Sequence, residues 1–125
     1  MKIDAVGVAS TNVARTIEFY SLLGFSFPVY TDQPHLEAVT EEGAVRFMID
    51  SASLIKELLG EEPRPGNHAQ IALDCGTPRG VDAKVAAVRE GGFSIAKEPW
   101  DALWGQRYAV VEDPDGYKVD LFATL

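Results

Sequence analysis

The sequence states one arrangement twice, and this repetition restricts the available folds more than any other feature. "GFSFPVYT" (24–31) and "GFSIAKEP" (92–99) each follow a stretch with helical spacing, and each helical stretch follows a β-rich run. In the first copy "KIDAVGVA" (2–9) leads into "STNVARTIEFYSLLGF", where Val13, Ile17 and Tyr20 fall on one helix face. Asn12 suits the N-cap and Gly24 the C′ position. In the second copy "HAQIALDC" (68–75) leads into a helix over 77–92, with Thr77 as cap, Pro78 in the first turn and Val81, Val85 and Val88 as the apolar stripe. The first copy continues with "LEAVTE" (36–41) and "AVRFMID" (44–50), joined by Glu41-Glu42-Gly43, and a short helix over 51–60. The second ends with "QRYAVVE" (106–112) and "YKVDLFA" (117–123), joined by Asp113-Pro114-Asp115-Gly116, a strong hairpin signal. "EEPRPGN" (61–67) has linker composition. The expected organisation is one domain, 1–125, of two modules (1–62 and 63–125). Its class is α+β, with helices on one face of mainly antiparallel sheets and the other face open. Identity between the halves is faint; the order of elements carries the inference.

At 125 residues the chain can bury a core without staples. Its 19 acidic and 11 basic residues give a net charge of −8, which argues against nucleic acid as a partner and inclines the protein towards neutral or cationic ligands. The plainer reading of the acidity is solubility. No apolar run reaches membrane-spanning length, and "MKIDAVGVAS" lacks signal-peptide architecture. The single cysteine, Cys75, reads as a buried strand thiol, since no histidine stands near it in sequence to make it a nucleophile. These features set the expectation of a cytoplasmic protein with no membrane partner.

"VARTIEFYSLLGF" and "EDPDGYKVDLF" resemble, respectively, the first-helix and terminal-hairpin signatures of the glyoxalase / bleomycin-resistance / extradiol-dioxygenase superfamily, also called vicinal oxygen chelate. The resemblance spans nearly the whole chain. It implies paired βαβββ modules forming a half-open sheet whose concave face holds metal or ligand, with small members pairing as homodimers. It also implies metal ligands on four strands. At the corresponding positions this sequence has Ala5, the stretch Phe47–Ile49, Gln70 and Asp120. Ala5 and Phe47–Ile49 offer no donor, Asp4 points to the other face, and His68 sits near a strand start, where a lone histidine is more often a surface group. Gln70 and Asp120 alone fall short of the three or so converging ligands that a catalytic ion needs, so no cofactor and no divalent metal are expected.

Strand alternation in "YKVDLF" places Val119 and Leu121 under the helices and Lys118, Asp120 and Phe122 in the cup. An inward carboxylate without a metal must be compensated, by protonation or by a partner. Lys118, Arg107, Gln70 and a ligand cation are the candidates. Aromatic side chains supply the rest of a ligand-binding list comprising Phe47, Gln70, Trp100, Trp104, Arg107, Tyr108, Asp120 and Phe122. For any one aromatic the core is the plainer placement; Trp100 and Trp104, between Pro99 and Gly105, look least core-like. The leading expectation is a metal-free small-molecule-binding protein resembling bleomycin-resistance proteins. It would take an aromatic ligand, with cationic ones among the options, in a dimer crevice. The alternative is a glyoxalase-like lyase, isomerase or dioxygenase using Asp120 with Gln70, or Asp120 alone as a general base. Catalytic residues are left unassigned.

Overall fold

A computed structural model describes residues 1–28, 33–64, 66 and 69–125. The chain divides into two compact units, Met1–Arg64 and Pro65–Leu125.

The first unit runs β1 (Ala5–Ser10), α1 (Val13–Leu22), β2 (His35–Glu37), β3 (Arg46–Ser51) and α2 (Ala52–Leu59). Asn12 caps α1 by accepting from the Arg15 amide, and Gly24, at φ +106°, turns the chain out of it. Ser51 caps α2 in the same manner, and Gly60 ends it in the left-handed region. The sheet order is β1-β3-β2, with β1 parallel and β2 antiparallel to β3. Val8, Phe47 and Ile49 are buried with Phe19 and Tyr20 of α1. The buried Ser10 and Thr16 hydroxyls lie 2.6 Å apart and join strand to helix. The strand expected at 25–31 is not formed by the described residues 25–28, although Ser26 O accepts from Val39 N. The remainder of that strand lies outside the described residues.

The second unit runs β4 (Ile71–Asp74), α3 (Pro78–Glu90), β5 (Ser94–Ala102), β6 (Gln106–Glu112) and β7 (Lys118–Thr124). Thr77 caps α3, with Pro78 in its first turn. The sheet order is β4-β7-β6-β5, with β4 parallel to β7 and the other pairs antiparallel. Val81, Val85 and Val88 of α3 are buried with Ala109, Val111, Val119, Leu121 and Ala123. At the start of α3 a Cβ on Gly80 would lie 2.3 Å from the Cys75 carbonyl oxygen, so only glycine allows that approach. The expected hairpin forms at Asp113–Gly116. Asp113 is buried, and its Oδ1 accepts from the amides of Asp115 and Tyr117. Each unit is thus a mixed sheet with a helix on one face.

β5 runs further than its sequence implied, through Pro99 and Trp100 to Ala102. Against β6 its register slips between Ile95 and Lys97 and again between Lys97 and Trp100. Each slip adds one residue to β5, as a β-bulge does. Pro99 is tolerated because β5 is an edge strand.

Candidate ligand site on the open face of the second unit

The hairpin fixes which side chains share the face away from α3. Counting from the turn, Glu112 pairs with Lys118, Val110 with Asp120 and Tyr108 with Phe122. Val119, Leu121 and Ala123 take the other parity and are buried under the helix. Asp120 is 8% exposed, and the open face encloses it with hydrogen bonds. Tyr108 donates its hydroxyl to Oδ2 at 2.5 Å, and the Gln70 side-chain amide donates to Oδ1. Both carboxylate oxygens therefore have a donor from this chain. Gln70 lies just before β4, which pairs with β7 at Ala72 opposite Asp120.

The Tyr108 ring belongs to an aromatic corner. Its centroid is 5.3 Å from Trp100 and 5.5 Å from Trp104, and the two indoles are 6.0 Å apart, all three edge-to-face. Trp100 is set opposite Tyr108 by strand register. Trp104 sits in the β5–β6 turn, donates Nε1–H to Gln106 Oε1 at 2.9 Å and is 62% exposed. Gly105 follows at φ +85° with open space around it, so the turn needs glycine for its backbone angle. Burial, then the hydrogen bond to Asp120, then the Asp120 charge push the Tyr108 phenol up to about 12. It therefore stays a donor at neutral pH.

Beside this corner lies a shallow pocket of about 300 Å³, lined by Gln70, Ala96, Lys97, Val110 and Lys118. The Lys97 ammonium lies 5.0 Å from the Trp100 ring centroid. Lys118 is paired with Glu112 at 2.7 Å.

Of the expected ligand-site residues, Gln70, Trp100, Trp104, Tyr108, Asp120 and Phe122 share this region of the second unit. Arg107 does not. It takes the helix-side parity, where Asp82 of α3 and Asp101 of β5 hold its guanidinium above its ordinary pKa. Of the expected partners of Asp120, Gln70 is the one observed, joined by Tyr108, whereas Arg107 and Lys118 pair with other carboxylates. Phe47 is also displaced: it is buried in the first unit with its ring 4.6 Å from both Tyr20 and Phe25. His68 lies outside the described residues. The sequence reading missed Lys97 and Ala96. Counting pairs back from the Asp-Pro-Asp-Gly turn would have matched Tyr108 with Phe122, leaving Asp120 one step away, whereas the two bulges gave no signal that could place Lys97.

The sequence model of the Glyoxalase/Bleomycin resistance protein/Dioxygenase superfamily matches residues 2–121. The chain belongs to this superfamily. Solved structures agree on the fold. A glyoxalase-related enzyme from Fulvimarina pelagi superposes with a TM-score of 0.84 at 14% identity, covering 98% of this chain and 88% of that one. A glyoxalase/bleomycin resistance protein/dioxygenase family enzyme from Burkholderia phytofirmans gives 0.81 at 17% identity, with both chains fully covered. A glyoxalase/bleomycin resistance protein from Albidiferax ferrireducens gives 0.76 at 21% identity over 98% of each chain. Comparison with proteins of curated function returns no match. Among the described residues the divalent ion implied by the superfamily finds few fitting donors. Ala5 is a methyl group, β3 offers Phe47, Met48 and Ile49, and Asp120 already accepts from Tyr108 and Gln70. Among the described residues no three His, Cys, Asp or Glu side chains are grouped to hold a metal, and no helix is long and apolar enough to cross a membrane.

Proposed function

We propose that this superfamily member is a small-molecule-binding protein that works without a metal, holding an aromatic ligand against the open sheet face of its second unit. The observation that carries this reading is the double hydrogen bond to Asp120. In the superfamily this position supplies a metal ligand; here one oxygen holds Gln70 and the other orients Tyr108, and through it a cluster of three aromatic rings. A buried carboxylate with a donor on each oxygen has its desolvation offset from within the chain. Ring edges and faces at the corner supply the contact that a planar ligand needs.

Self-association into a homodimer belongs to the same proposal. Leu58 and Leu59 in the first unit and Leu103 and Trp104 in the second are exposed, and a twofold pairing is the commonest way to cover such groups. Light scattering at micromolar concentration checks it, with a monomer mass as the contrary result.

The deciding experiment joins elemental analysis of the purified protein to a melting-temperature screen with aromatic compounds and divalent metals. A ligand that binds the folded state raises the melting temperature by mass action. Stabilisation by aromatic compounds and none by metals supports the proposal. Equimolar zinc, nickel or iron that disappears in Asp120→Asn would overturn it in favour of a metal-dependent lyase or dioxygenase.

A further inference from the structure

We propose that the pocket beside the aromatic corner selects a small planar aromatic carboxylate, with the Lys97 ammonium as its counter-ion. The inference rests on the binding reading above and adds the sign of the ligand's charge. Among the described residues Lys97 makes no salt bridge, whereas the other lysine lining the pocket, Lys118, is neutralised by Glu112. Asp120, the acid buried on this face, is engaged by Tyr108 and Gln70. Lys97 is therefore the lysine of this pocket that no carboxylate pairs with among the described residues, so its ammonium is available to a ligand anion.

The strand geometry explains how that charge arrives there. In a regular strand Ala96 and Lys97 would point to opposite faces. The bulge between Ile95 and Lys97 breaks the alternation, so both line the pocket, and Lys97 pairs with Val110 of the open face. The second slip restores Trp100 to the same face, opposite Tyr108, and places its ring beneath the Lys97 ammonium. Bulges that re-aim side chains are over-represented next to binding sites. Ala96 and Val110 give an apolar floor for a ring. Gln70 spends one side-chain N–H on Asp120 and has a second to offer a carboxylate oxygen. The pocket, about 300 Å³, sits at the lower end of ligand cavities and suits one ring with its substituent.

The test uses the full-length protein and the indole N–H NMR signals of Trp100 and Trp104, titrated with benzoate, benzamide and benzylamine. Benzoate should bind about tenfold more tightly than benzamide, because a carboxylate adds charge–charge attraction to the ammonium hydrogen bond that a neutral carbonyl can also accept. Lys97→Met should abolish that advantage, bringing benzoate affinity down to that of benzamide, and Lys97→Arg should keep it. Equal affinity for benzoate and benzamide, or tightest binding of benzylamine, would overturn the anion assignment while leaving the binding reading intact. A benzoate preference that survives in Lys97→Met would overturn the role of Lys97. No response of either indole to any of the three at millimolar concentration would overturn both the assignment and the binding reading.

Discussion

The two units share a parallel strand pair at one edge of the sheet, β1 with β3 and β4 with β7, yet they furnish the face away from the helix in opposite ways. In the first unit Met48 stands where Asp120 stands in the second, opposite Gly7 as Asp120 is opposite Ala72. A Cβ on Gly7 would lie 3.4 Å from Met48 Cε, so the thioether lies along its neighbour. The charges around it pair with one another at the surface: Arg46 with Asp4 and Glu37, and His35 Nδ1 with Asp50 Oδ1 at 2.6 Å. In the second unit one carboxylate is covered, its donors come from two strands' worth of sequence, and one donor is an aromatic ring that orders two more. A shared scaffold thus becomes a candidate site where a buried acid organises aromatic side chains, and not where exposed charges satisfy each other.

The largest expected effect tests whether the scaffolds are equivalent. Ile49 and Leu121 are fully buried at matching places, and truncating either to alanine should cost about 2–5 kcal/mol. Urea unfolding measures both, and a loss confined to one unit would break the equivalence. Next comes Asp120→Ala, which leaves the Tyr108 hydroxyl and the Gln70 amide without their acceptor and should cost about 1–3 kcal/mol. Asp120→Asn should cost less, since its one carbonyl oxygen can still accept one of the two donors.

A third expectation sharpens the contrast through pH. The Tyr108 phenol is raised from its ordinary 10.0 to about 12, so the folded state holds that proton more tightly than the unfolded chain does. The resulting stability is complete below pH 10 and is lost as pH rises through about 12. Asp120→Ala removes the second and third causes and leaves burial, so the phenol should titrate lower but remain above its ordinary value. Ultraviolet titration of tyrosinate reads this directly, and an unmoved transition would dissociate Tyr108 from Asp120. The smallest effect belongs to the first unit. His35 is nearly half-exposed, so Asp50→Asn should change stability by only about 0–1 kcal/mol. A larger loss would mean that this surface cluster, too, organises its face.

Much of this was legible in the sequence because the signals were local. Asn12, Thr77 and Pro78 mark helix starts by side-chain and ring chemistry that acts within one turn. The hairpin residues set a two-residue alternation that put Asp120 on the open face. Phe47 was misplaced because "AVRFMID" carries apolar residues on both parities, so the pattern does not choose a face. Arg107 attracted a role by charge alone, while strand parity sends it to Asp82. Lys97 was invisible for a deeper reason: a bulge is decided by how two strands fit together, and Pro99 reads locally as the end of a strand, not as an edge residue within one.

The Asp113 turn also has a consequence for the order in which the second unit assembles in time. The turn closes on itself, with Asp113 accepting from two amides within four residues, and Lys118 reaches Glu112 only six residues away. Such short loops close at little entropic cost, so β6 and β7 can zip early. The strand β4 must wait: the hydrogen bond from Gln70 to Asp120 spans 50 residues. The aromatic corner can therefore form on a hairpin whose acid is still half-satisfied, and docking of β4 delivers the last donor. Pulse-labelled hydrogen exchange should find β6 and β7 amides protected before those of β4, which would make the site's completion and the unit's final folding step one event.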